Sequence, residues 1–318
     1  MEPIMEPVDR EKLIMELTPK RFLRNTLRGN NQIYRFNYRE SPLLMFEVGR
    51  LRELSFRKVD CGTGKALDID DYDIEPKGYH QLIVWNPRDK EIIGGYRYAM
   101  GHDYLDCPDE LSMSHYFKLS KRFVAHCLPY SIELGRAWVN PLYQPDSSGR
   151  KSIFALDNLW EGIGAVLSEN PEVRYLYGKV TISPNYHPVG RALILWLLNN
   201  YFKDPLHLVT PVKPIALPDV RAIAGIGFKK SDFSADYKRI ATFLRDEGLQ
   251  VPPLISAYLG LSSKITTFGV AYNKEMGYAF ETGMMLKVAD IHRDKFERYV
   301  GQVKKTVVNQ PVDESILD

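Results

Sequence analysis

The stretch Ser131-Ile-Glu-Leu-Gly-Arg-Ala-Trp-Val-Asn140 constrains this chain more than any other. It reads as a central strand packed on both faces, since Ile132, Leu134, Ala137, Trp138 and Val139 leave it no polar side. Yet it carries Glu133 and Arg136, three residues apart. Taking either charge alone out of water costs several kcal/mol, so each needs a partner or a task. Two readings stay open. One is a structural salt bridge. The other is an acid whose pKa burial raises until it can take a proton from an amine.

The pattern around this strand predicts an α/β fold: a mixed sheet with helices on both faces. A first helix is expected over 9–27, opened by Asp9, with Lys20, Arg21, Arg24 and Arg28 on one basic face. That face is either solvated or a docking surface for an acidic partner or anionic lipid. A strand follows at 33–37 and a helix at 43–58. Strands 79–85 and 92–100 form a hairpin across Asn86–Lys90. A helix is expected at 112–127. After the central strand come a helix at 151–168, a strand at 174–182 and a helix at 187–202. Pro205, Pro211, Pro214 and Pro218 make 203–220 an irregular connection. Helices at 236–247 and 252–260, a hairpin of 264–272 with 278–288, and a helix at 290–300 complete the order. The expected organisation is a basic N-terminal helix (1–30), a core (31–204), an irregular and helical insertion (205–262), a closing hairpin and helix of the same domain (263–300) and a tail (301–318).

A net charge of +2 argues against a dedicated nucleic-acid binder. Cys61, Cys107 and Cys127 form an odd set without C-x-x-C, which fits a reducing compartment and small core residues. Met1-Glu-Pro-Ile-Met-Glu-Pro lacks a basic start and an apolar run, and the longest apolar stretch, Ala192–Leu198, is far below the ~20 residues that span a bilayer. A cytoplasmic protein is expected, with peripheral contact at the inner membrane as an added option. H-x4-D, G-x-S-x-G, the Walker pattern and G-x-G-x-x-G are all missing. The histidines show no metal-ligand spacing, so no metal is expected. The loop after the central strand holds Ser147, Ser148, Gly149, Arg150, Lys151 and Ser152 ahead of a helix. Free N–H groups there suit a phosphate; an ordinary N-cap at Ser152 explains the same residues.

Four short motifs then fall in one order: Arg52-x3-Phe56, Asp70-x2-Asp73, Ile93-Gly-Gly-Tyr-Arg97 and Glu133-x2-Arg136. They resemble the core motifs of acyl-homoserine lactone synthases and of the GNAT-type acyltransferases that place fatty acyl groups on amino acids. Asp157-Asn-Leu-Trp160-Glu-Gly-Ile-Gly164, Tyr177-Gly178 and Val251–Leu259 match the branch that makes ornithine and glycine lipids, often labelled hemolysin-like. The likeness spans roughly 43–290. It implies a GNAT-like, mostly antiparallel sheet with a late helical insertion and closing hairpin. It also implies an N-acyltransferase moving a long-chain acyl group, with or without a 3-hydroxyl, to the amine of glycine or ornithine. The donor would be a thioester on the phosphopantetheine of acyl carrier protein or on CoA, with no permanently bound cofactor. The CoA-pyrophosphate pattern Q/R-x-x-G-x-G/A is not clean after Gln144, so the donor stays open between the two. The aspartate expected before the closing strand is replaced around Asn273–Met276, so the acceptor does not transfer by analogy.

The resemblance implies direct transfer from thioester to amine. Glu133 is the expected proton acceptor, directly or through water, with Arg136 holding Glu133 or the acceptor carboxylate and Arg97 able to do the second. Backbone N–H groups of the central strand would polarise the thioester carbonyl. Arg52, Asp70 and Asp73 are expected to order an N-terminal lid; Phe56 and Trp160 belong to the core or the acyl-pocket wall. Two rivals stand beside this: a lactone synthase using S-adenosylmethionine, and a non-catalytic acyl-binding or membrane-active module.

Overall fold

The structure is a computed structural model and describes residues 1–75, 77–144, 154–217, 220 and 227–301 of the 318-residue chain. Its strands, in chain order, are β1 (Phe22–Asn25), β2 (Gln32–Phe36), β3 (His80–Asn86), β4 (Glu91–Met100), β5 (Phe117–Leu119), β6 (Ser131–Val139), β7 (Tyr175–Ile182), β8 (Val209–Pro211), β9 (Ile265–Asn273) and β10 (Ala279–Lys287). Among the described residues, eight of them form one sheet in the order β1-β2-β3-β4-β6-β7-β10-β9, and β5 pairs with β8. Every neighbouring pair in the large sheet is antiparallel except β6 and β7. The expected mixed α/β fold with a closing hairpin is what the chain adopts.

Periodicity explains the two layers. Helix Pro42–Arg57 starts at a proline, which costs nothing in the first turn. It buries Leu44, Met45, Val48 and Leu51, spaced by three and four, against Ile83, Trp85 and Trp138. Helices Ala155–Glu169 and Pro188–Phe202 cover the opposite face, packing Leu159, Ile163, Leu193 and Leu197 on Leu82, Leu134 and Leu176. Each such leucine contributes roughly 2 kcal/mol by leaving water. Among the described residues no helix is long and apolar enough to cross a membrane.

Three expectations need correction. The helix expected over 9–27 runs only from Arg10 to Glu16. Thr18 precedes Pro19, which disfavours helical backbone, and Phe22–Asn25 then pair with β2. The supposed basic face therefore does not exist. Arg21 instead donates to the carbonyls of Glu16 and Glu40, and Arg24 reaches Tyr299 O at 3.2 Å. The helix expected over 112–127 is split. Pairing of Phe117–Leu119 with Val209–Pro211 interrupts it, and Ser120 caps a fresh helix by accepting from Phe123 N. By the same pairing, 203–220 is not wholly irregular.

What fixes the segment 68–73 to the sheet is a ring of charge. Arg52 Nη1 donates to both Asp73 oxygens at 3.1 and 3.0 Å. Arg97 reaches Asp73 at 3.3 Å and also pairs with Asp70. Arg136 reaches Asp70 at 3.1 Å and Asp68 at 2.9 Å. The carbonyl of Asp68 accepts from Arg52 at 3.4 Å and closes the ring. Arg52, Arg97, Asp68 and Asp73 are buried. Burial alone would push the Asp70 carboxyl up, but Arg97 and Arg136 hold it well below the usual carboxylate range.

Breaking a buried pair leaves a stranded charge, so Asp73→Asn is expected to lose about 3–5 kcal/mol in urea unfolding. Glu297→Gln, which breaks the exposed Arg293 pair, should lose at most about 0.5 kcal/mol; equal losses would contradict the ring's importance. The Asp70 contribution has a defined pH sign. It is complete above the ordinary aspartate value of 3.8 and fades as pH falls from there toward the depressed native value. The stability gap between wild type and Asp70→Asn should therefore close on acidification below 3.8.

Candidate active site

The site begins with a break in β6. Strands β6 and β7 pair in parallel only over Ser131↔Tyr175 to Leu134↔Gly178. Gly178 is required there, since a Cβ would run into the carbonyl of Leu134. Against β4, the register slips between Gly95 and Arg97, so that β6 carries extra residue around Arg136. Arg136 itself sits at φ +45°, a left-handed conformation that arginine adopts at a cost of order 1 kcal/mol. Such a bulge bends its strand. From Gly135 onward β6 follows β4, while β7 follows β10 to Ile182. A wedge opens between them, and the β7-facing edge of β6 has no strand partner there among the described residues.

Two cavities meet in this wedge. One, of about 340 Å³, is walled mainly by apolar groups, including Phe56, Val59, Ile182, Pro253, Leu254 and Met276. The other, of about 840 Å³, is the more polar one, lined mostly by charged and polar residues such as Asp71, Glu75, Tyr104, His115 and Glu275. Among the described residues, Arg97, Ser112, Arg136 and Lys179 line both.

The two charges that opened the sequence reading do not pair with each other. Arg136 is taken by Asp68 and Asp70, so the salt-bridge reading of Glu133 with Arg136 is corrected: the bulge turns the guanidinium toward the ring. Glu133 lies beneath the wedge and lines neither cavity. Its Oε1 accepts from Tyr79 OH at 3.1 Å and Met113 N at 3.0 Å, and its Oε2 from Tyr177 OH at 3.2 Å. Burial raises its pKa; the charge of Lys179 and the tyrosine hydrogen bonds offset only part of that. Burial, then Glu133, push both tyrosines well above their ordinary range, so they stay protonated as donors.

The remaining expected residues separate cleanly. Arg97 and Phe56 reach a cavity wall. Asp70 borders the polar cavity. Arg52 and Asp73 are ring members that line neither cavity. Trp160 packs between Tyr96 and Tyr258 in the opposite layer, away from both cavities. Its large apolar ring is core on that face. Ser147, Ser148, Gly149, Arg150, Lys151 and Ser152 lie outside the described residues.

Sequence reasoning missed three groups. Lys179 Nζ donates to Ser112 O at 3.1 Å and Ser112 Oγ at 3.3 Å, and sits 4.6 Å from the Tyr116 ring centre. Glu281 accepts from Thr181 Oγ1 at 2.9 Å and Asn273 Nδ2 at 2.7 Å. Asp68 completes the ring. The signal for the first two was present: Lys179 is the one charge in β7, and Glu281 sits inside β10, whose other charge, Lys287, is at its end. Cys61 lines the apolar cavity, but burial pushes its thiol up to about 11, which does not suit a nucleophile.

Residues 51–150 match the acetyltransferase (GNAT) domain model. Over 305 residues the chain is 45% identical to the glycine N(α)-acyltransferase of Bacteroides thetaiotaomicron, covering 94% of this chain and 90% of that one. The glycine N(α)-acyltransferase of Phocaeicola vulgatus is 42% identical over 304 residues, covering 94% of this chain and 93% of that one. Among solved structures, the CoA-dependent acyl-homoserine lactone synthase BjaI, with SAM and isopentyl-CoA, is similar at a TM-score of 0.39 and 12% identity, over 85% of this chain and 90% of that one. The chain belongs to the family of the two bacterial relatives and is a GNAT-fold N-acyltransferase.

Proposed function

We propose that this enzyme moves a long-chain fatty acyl group from a thioester to the α-amine of glycine, giving an N-acylglycine that serves as a lipid precursor. The observation that carries the reading is the meeting of an apolar and a polar cavity at one wedge. A fatty thioester and a zwitterion need opposite surroundings, and transfer needs their reacting atoms together. Glycine is favoured over ornithine because both bacterial relatives carry glycine in their names. The donor is CoA or the phosphopantetheine of acyl carrier protein. The product's acyl chain makes a membrane surface its natural destination.

The roles follow from position. The acyl chain takes the apolar cavity, with Phe56 and Leu254 among its walls. The acceptor carboxylate lies against the cations at the junction, Arg97 and Arg136. The open edge of β6 supplies backbone N–H groups to the thioester oxygen as it gains charge. Arg97 Nε, buried beside Gly135 and without a hydrogen-bond partner among the described residues, is a second donor suited to that oxygen. An orphaned donor of this kind costs roughly 1–3 kcal/mol unless a ligand satisfies it. Glu133 favours proton transfer from the amine by its charge, from beneath Lys179, and not by contact with substrate. Direct transfer fits the inert surroundings of Cys61.

The test is mass spectrometry of the purified chain incubated with glycine and a long-chain acyl-CoA or acyl carrier protein. N-acylglycine is expected; a lactone, or no acylated product with either donor, would refute the proposal. Glu133→Gln, confirmed folded by circular dichroism, should lower kcat about 10- to 100-fold, and a wild-type rate would remove Glu133 from the mechanism. Leu254→Trp fills the apolar cavity and should shift preference toward shorter acyl thioesters; an unchanged chain-length profile would place the acyl group elsewhere.

A further inference from the structure

Four residues line both cavities among those described: Arg97, Ser112, Arg136 and Lys179. A group that exchanges a proton with the reacting atoms has to come from this set or reach it through solvent. Arginine keeps its proton at any working pH, and a serine hydroxyl is no base without a partner that activates it. That leaves Lys179.

Its placement is that of a reacting group. It is the first residue of β7 beyond the parallel ladder, across from Gly135 where the wedge opens. Its Nζ is held by Ser112 O and Oγ and by the face of Tyr116. The other acids and bases nearby are occupied or out of reach. Glu281 is bonded to Thr181 and Asn273, and Asp70 to Arg97 and Arg136. Glu133 lines neither cavity, and His115, exposed and 3.6 Å from Glu275, lines only the polar one.

We propose that Lys179, as a neutral amine, takes the proton from the attacking nitrogen and returns it to the departing sulfur. This rests on the acyl-transfer reading above. The nitrogen lone pair of glycine forms the new N–C bond, and that nitrogen's proton passes to Lys179. The C–S bond then breaks with its electron pair on sulfur, and the Lys179 ammonium protonates the thiolate. Lysine is restored, and the products are an amide and a thiol.

The surroundings favour the neutral amine more than water does. Enclosure pushes its pKa down, Glu281 and Glu133 push it up, and Arg136 and Arg97 push it down again; the balance lies below the ordinary lysine value. The same two carboxylates then stabilise the ammonium once it forms.

Lys179→Arg separates a proton carrier from a fixed cation, because arginine keeps the charge and cannot release the proton. In the full chain, with saturating glycine and acyl thioester, Lys179→Arg should lower kcat at least about 100-fold. The glycine KM and the unfolding midpoint should stay near wild type. A kcat within about threefold of wild type would overturn the proposal. If the arginine variant does not fold, Lys179→Gln decides. Wild-type kcat should rise with pH through an ionisation that the residual Lys179→Gln rate lacks; an identical pH profile in both would overturn the assignment. Failure of the wild type to form N-acylglycine would count against the acyl-transfer reading, not against Lys179 alone.

Discussion

The buried ring of Arg52, Asp73, Arg97, Asp70, Arg136 and Asp68 is the interaction on which the rest of the molecule depends. Its arginines come from a helix and two strands, and its aspartates from one short segment. Each charge is expensive to bury, and the alternation is what makes the burial tolerable. The ring places Arg97 and Arg136 at the cavity junction and holds them in one geometry. It also holds Arg136 in a left-handed conformation that the strand would otherwise relax.

That conformation links stability to function. The bulge at Arg136 marks where β6 leaves β7, and the wedge so formed is where the cavities meet. A continuous sheet would have sealed the space and paired every backbone group. Among the described residues the β7-facing edge of β6 has no strand partner at the wedge and Arg97 Nε no hydrogen-bond partner, which is where the proposed thioester would find donors. Structure here departs from the best-packed arrangement at the place where chemistry is proposed.

Much of the fold was legible in the residues. Apolar runs and alternation located the long strands, and three-and-four spacing located the principal helices. The ends gave way where tertiary pairing competed with helical pattern, as at Thr18-Pro19 and at Phe117–Leu119. The site was legible in part. A charge in an apolar strand flagged Glu133 and Arg136, but nothing in Gly135-Arg136-Ala137 announces a bulge. Without the bulge, Arg136 cannot be assigned to Asp68 and Asp70. Lys179 carried the same flag as Glu133 but was passed over, because Tyr177-Gly178 before it was read only as a family motif. Trp160 stayed open between pocket wall and core because a large aromatic suits either, and only the sheet's two faces tell them apart.

The most direct test of the account is a crystal structure of the chain with glycine and a non-reactive thioether analogue of a long-chain acyl donor. The account requires the alkyl chain among Phe56, Ile182 and Leu254, the acyl carbon in the gap between Gly135 and Lys179, and the glycine nitrogen facing Lys179 from the polar side. An analogue seated away from the wedge, with β6 and β7 closed on each other, would contradict it.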